Sequence, residues 1–131
     1  MDRNEEREQA RLVKWTHKRE VRAVLPALAF LHHSPNGGQR TARAGAQMVA
    51  LGTKRGWPDL VLPLPPPLHG LAIEMKSTTG RVSEEQTGWL EHLAECGWSC
   101  HVCRSAEDAR LVILSFFGIA PDSVMDLEPP K

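Results

Sequence analysis

The chain has 131 residues, 41% hydrophobic and 24% charged. That is the size and balance of one ordinary domain, able to bury a core without disulfides or a structural metal. No apolar run approaches the roughly 20 residues of a membrane helix, and the charged start MDRNEEREQARLVKW has no apolar signal-peptide core. The formal charge is zero but uneven: residues 1–56 hold 11 Lys/Arg against 5 Asp/Glu, net +6, and residues 57–131 hold 5 against 11, net −6. A basic segment of this kind can be a phosphate footprint. It can equally be a solvated helix face, or attract the acidic half.

Asn4 is placed to cap a helix, with Glu5, Glu6 and Glu8 in an acidic first turn. Leu12, Val13, Trp15, Val21 and Val24 continue that helix to Pro26. Residues 27–33 (ALAFLHH) form a short apolar run, a candidate strand, and residues 34–40 (SPNGGQR) are turn or loop. Residues 41–52 (TARAGAQMVALG) predict an Ala-rich helix stopped by Gly52. A short strand follows at residues 59–64 (DLVLPL). Three prolines at 65–67 then force a connection to a second strand at 69–77 (HGLAIEMKS), so the two predict an antiparallel pair. Residues 83–97 are the clearest helix. Ser83 and Gln86 make an S-x-x-Q capping box, Leu90, Leu93 and Ala94 mark an inner face, and Gly97 stops it. A strand at 98–104 and a capped helix at 105–118 complete the domain, residues 1–120, and residues 121–131 are expected to be a frayed tail. The fold class is mixed α/β, a small mixed sheet flanked by helices.

The cysteines, Cys96, Cys100 and Cys103, are odd in number and clustered, which fits reduced thiols in a cytosol. A zinc site built from Cys100, Cys103, His92 and His101 needs four convergent ligands. A strand over 98–104 turns Cys100 and Cys103 to opposite faces, so packing of small apolar thiols is the simpler reading.

The second strand poses the chemical question. Ala72, Glu74 and Lys76 share one face, and Leu71, Ile73 and Met75 the other. Taken alone, Glu74 and Lys76 are a surface pair worth less than about 1 kcal/mol. Asp59 changes the picture, because pairing of the two strands brings it close to Glu74. Two adjacent carboxylates repel unless a cation lies between them, and hard oxygen donors suit Mg²⁺ or Mn²⁺. Such a metal activates water and neutralises a phosphoryl oxygen. Lys76 can add positive charge at a developing phosphorane. An acid on one strand and E-x-K on its neighbour is a workable phosphodiesterase site.

The ordered set Gly52-x-x-x-Gly56-x-Pro58-Asp59, Glu74-x-Lys76 and Ser83-x-x-Gln86, with P-N-G-G at residues 35–38, resembles the VRR-NUC domain, a branch of the PD-(D/E)XK nuclease superfamily. The resemblance spans roughly residues 5–104 and is closest to small stand-alone members from phages and bacteria. It implies a restriction-endonuclease-like core. Asp59, Glu74 and the Met75 main-chain carbonyl would hold Mg²⁺ or Mn²⁺, Lys76 would be the catalytic lysine, and Gln86 would reach the site from its helix. Glu5 and Gln9 match the family's first-helix E-x-x-x-Q, whose acid can join the metal, although Glu6 or Glu8 could be its equivalent. Arg40, Arg43, Lys54 and Arg55 would flank the DNA, contacting mostly phosphates. Asn36, Gly37 and Gly38 would let the backbone approach it. His32, His33, Trp57 and Trp89 are packing residues before they are catalytic or base-stacking ones.

These residues imply a metal-dependent DNA endonuclease. Nothing reads as a sequence-recognition helix, so structure-selective cleavage is expected, with Holliday junctions or other branched DNA as substrate. The family expectation is a homodimer, with no membrane attachment, in the cytoplasm of a bacterial or phage-infected cell. The rival is a non-catalytic module that binds branched DNA on the same fold, which has no need of an intact Asp59, Glu74 and Lys76.

Overall fold

The computed structural model describes residues 2–35, 41–121 and 125–129. Helix α1 (Arg3–Thr16) is capped by Asp2, not Asn4. Asp2 Oδ1 accepts the Glu5 N–H at 2.8 Å, and Glu5 Oε2 accepts the Asp2 N–H at 3.2 Å. That reciprocal D-x-x-E box satisfies two donors, which Asn4 could not do with the residues after it. Nor does one helix run on to Pro26. After Leu12 and Trp15, both wholly buried, helical spacing calls for an apolar residue at 18 or 19. The sequence offers Lys18 and Arg19. Lys18 is extended (φ −61°, ψ 137°), and a short α2 (Arg19–Val24) restarts at a new angle. A 3₁₀ turn (Pro26–Phe30) follows, so most of the candidate strand at 27–33 is helical, and only β1 (His32–His33) is extended. Pro26 at the first position of that turn suits its fixed φ. The re-aimed segment drives Val21, Leu25 and Leu28 into the core.

Helix α3 (Ala42–Ala50) is capped by Thr41 and has no buried residue. Strands β2 (Leu60–Pro63) and β3 (Gly70–Met75) pair antiparallel, with Leu60 opposite Ile73 and Pro63 opposite Gly70. Helix α4 (Glu84–Glu95) carries the expected Ser83/Gln86 box. It crosses over to β4 (Ser99–Cys103), which runs parallel to β3. Helix α5 (Ala106–Phe116) closes the order. The sheet reads β1-β2-β3-β4, mixed and four-stranded.

The two faces of the sheet are unequal. Leu60, Leu62, Leu71, Ile73, Met75 and Cys103 face the main core, where Leu12, Trp15, Leu28, Ile113 and Leu114 close over them. Val61 and Ala72 face a smaller cluster with Leu93, flanked by Trp57, Leu90, Trp98 and Cys100. Ala94, expected on the inner face of α4, is exposed, because the helix covers its small cluster along one edge through Leu93. Burying Leu71, Ile73 and Met75 contributes about 2 kcal/mol each. A one-residue slip of β3 would send all three to the other face and Glu74 into the main core, so that burial fixes where Glu74 points.

Residues 125–129 are docked, not frayed. Met125 is 5% exposed, and its carbonyl accepts the Trp15 Nε1–H at 2.5 Å and the Arg110 Nη1–H at 3.3 Å. Among the described residues, no helix is long and apolar enough to cross a membrane.

Candidate active site

The β2–β3 register, carried one step beyond Leu60 and Ile73, sets Asp59 opposite Glu74 on the face that α4 covers. Both are buried, Asp59 at 6% exposure and Glu74 at 2%. Asp59 Oδ2 accepts the Met75 N–H at 2.7 Å, which holds the carboxylate against β3. Glu74 Oε1 accepts the Gln86 Nε2–H at 3.1 Å and lies 3.9 Å from Lys76 Nζ. Glu74 Oε2 is buried with no hydrogen-bond partner. Burial and the facing Asp59 carboxylate push the Glu74 carboxyl up to about 9, and the nearby Lys76 ammonium only partly offsets them. A pair of this kind is unstable as two free anions. It is relieved by a proton shared between the two acids, which the raised Glu74 carboxyl would hold, or by a cation between their oxygens.

Gln86 makes two contacts at once. Its Oε1 accepts the Ser83 N–H at 2.8 Å, completing the capping box, while its Nε2 donates to Glu74. One side chain caps the helix and orients the acid. Glu5 is 8% exposed and accepts the Ser77 N–H at 3.1 Å, just beyond β3, where its charge adds to the repulsion felt by Glu74. Of the three N-terminal acids considered, Glu5 alone is buried. Gln9, one turn further along α1, is equally buried, with Oε1 unpartnered. Among the described residues, no three His, Cys, Asp or Glu side chains stand together as a metal cage. The zinc reading fails on its own geometry: Cys103 belongs to the main core and Cys100 flanks the smaller cluster on the opposite face.

A cleft of about 890 Å³ opens over Asp59 and Glu74. Its walls are α3, the turn holding Lys54, Arg55 and Gly56, and the start of α4. The turn fits because Gly56 has no side chain. A Cβ there would lie 2.5 Å from the Glu85 carbonyl carbon, and φ is +89°. Lys54 and Arg55 line the cleft, whereas Arg43 is exposed on α3 and is not part of its lining. Asn36, Gly37, Gly38 and Arg40 lie outside the described residues. The role of α3 as a wall was not legible in the sequence, since its Ala-rich pattern shows a helix but not what it faces.

His33 is a packing residue: its Nδ1 lies 2.8 Å from the Asp59 carbonyl oxygen, tying β1 to the start of β2. Trp57 packs on the smaller cluster and meets Trp89 edge to face, ring centres 4.9 Å apart. Trp89 belongs to neither core.

A family model described as the VRR-NUC domain matches residues 3–107. A solved structure described as a VRR_NUC domain protein is similar at 26% identity with a TM-score of 0.71, covering 97% of this chain and 99% of that one. No curated protein matches the sequence. With the family's model matched over most of the chain and its fold reproduced from end to end, the chain belongs to the VRR-NUC domain family of nuclease-type, DNA-processing proteins.

Proposed function

We propose that this protein is a metal-dependent, structure-selective DNA endonuclease acting on branched DNA, four-way junctions among them. The observation that carries the reading is the buried, opposed pair Asp59 and Glu74 at the base of the cleft, with Glu74 Oε2 unpartnered. A module that only bound DNA would gain nothing from a carboxylate pair that costs stability. Asp59, Glu74 and the Met75 carbonyl would hold Mg²⁺ or Mn²⁺, with Glu5 as a further donor if it releases Ser77. The cation would supply charge neutralisation at a phosphoryl oxygen and an activated water.

The chain's own groups do the rest. Gln86 holds Glu74 Oε1, so Oε2 would be the oxygen left to bind the cation. Lys76, its side chain mostly buried beside Glu74, adds positive charge where the phosphorane forms and helps position the attacking water. Lys54 and Arg55 on the cleft wall, with Arg40 and Arg43, take DNA phosphates. Asn36, Gly37 and Gly38, outside the described residues, are assigned to DNA contact on the family resemblance. A homodimer would offer two such sites to the two strands of a junction, in the cytoplasm of a bacterial or phage-infected cell.

The test is incubation with a four-way junction, a flap and a nick-free duplex in Mg²⁺, Mn²⁺ or EDTA. The expected result is cleavage of a branched substrate in either metal, slower cutting of the duplex, and none in EDTA. Absence of metal-dependent cleavage on every substrate would overturn the proposal.

A further inference from the structure

Trp89 sits one helical turn beyond Gln86 on α4, about 5 Å along the helix axis. It is half-buried and belongs to neither core. Its Nε1–H donates to the Arg55 carbonyl at 3.0 Å, so the ring is held at a fixed angle on the turn that carries Lys54 and Arg55. The neighbouring rings stand nearly perpendicular to it: Trp57 at 85° and His92 at 77°, with centres 4.9 and 6.1 Å away. Neither is stacked on it. Gly88, beside it, adds no side chain, and a groove of about 500 Å³ runs along Trp89, Gly88, Lys54 and Arg55. That groove adjoins the catalytic cleft, and Lys54 and Arg55 line both. Among the described residues, neither cation's side chain is in an ion pair. Glu85 also lines both grooves.

We propose that Trp89 is a stacking platform for an unpaired nucleobase next to the scissile phosphate, with Lys54 and Arg55 taking the flanking phosphates. The substrate is then DNA with a single-stranded arm or an unpaired base at its branch point. A fixed, half-exposed indole beside a cation pair that also lines the cleft over the carboxylates is the arrangement that binds single strands without reading sequence. Away from its ends, a stacked duplex has no free base face to offer it.

This inference rests on the nuclease reading for its location, and its test is independent of cleavage. Binding of a labelled flap and of a blunt duplex of equal length is measured in EDTA for wild type, Trp89→Phe and Trp89→Leu. Stacking predicts that Trp89→Leu weakens flap binding by about 10-fold, that Trp89→Phe stays within about 3-fold, and that duplex binding is nearly unchanged. Equal losses in Phe and Leu would assign Trp89 to its hydrogen bond with Arg55 and overturn the proposal. So would unchanged flap binding in Leu, or loss of duplex binding in parallel. If wild type cuts nothing yet Trp89→Leu alone loses the flap, the stacking site stands and the nuclease mechanism falls.

Discussion

Glu74 is 2% exposed and sits against Asp59, an arrangement that charges the fold a penalty whenever both acids ionise. Its carboxyl is raised from 4.5 to about 9. An acid raised on folding contributes stability that is present below its unfolded value and lost as pH rises through its folded one. The metal-free protein should therefore lose stability between about pH 5 and pH 9. Glu74→Gln should flatten that profile and raise the melting temperature in EDTA at alkaline pH by about 4 °C for each kcal/mol regained. Mg²⁺ or Mn²⁺ should stabilise wild type and leave Glu74→Gln unmoved. Thermal unfolding against pH, with and without metal, checks all three. At this scale the sequence was most legible where periodicity is strict: alternation in β3 put Glu74 and Lys76 on one face and Leu71, Ile73 and Met75 on the other. It could not show that Gln86 both caps α4 and binds Glu74, because one residue type satisfies both roles. Nor could it show that Glu5 closes a capping box on Asp2 while bonding Ser77 across 72 residues of chain.

The elements deliver these residues through close approaches more than through long surfaces. The turn at Lys54 and Arg55 meets the first turn of α4 only because Gly56 is bare. Gly56→Ala should cost about 2 kcal/mol or more, from the positive φ and the contact with the Glu85 backbone together. Chemical denaturation would measure that cost as a lower midpoint at unchanged slope, and DNA binding would weaken with it as Lys54 and Arg55 are displaced. Local signals marked α4 and its stop well. Ser83, Gln86 and Gly97 each have a mechanism of their own, and Gly97 does adopt positive φ. The sequence does not show the break after the first helix, because apolar residues continue past Trp15 at a spacing that is only nearly helical. The break at Lys18 is decided by which side chains the core can accept, a tertiary fact. The same holds for residues 27–33, where an apolar run serves a 3₁₀ turn as readily as a strand.

Across the whole molecule, the uneven charge turns out to do two things. Part of the basic half is spent internally: Arg11 and Lys18 donate to the Glu128 and Asp126 carbonyls and help hold the C-terminal segment. That docking could not be read from a proline-rich ending, since its anchors are main-chain carbonyls. Lys54 and Arg55, by contrast, face the cleft. The sheet meanwhile divides its labour by face, one side supplying most of the core and the other holding the acids under the N-terminal end of α4. The most direct measurement of the central claim is single-turnover cleavage of the best branched substrate by wild type and Lys76→Ala in Mg²⁺, with binding of both measured in EDTA. Lys76→Ala is expected to lose about 100-fold or more in cleavage rate, with DNA affinity kept within a few-fold. Equal rates for the two proteins would contradict it.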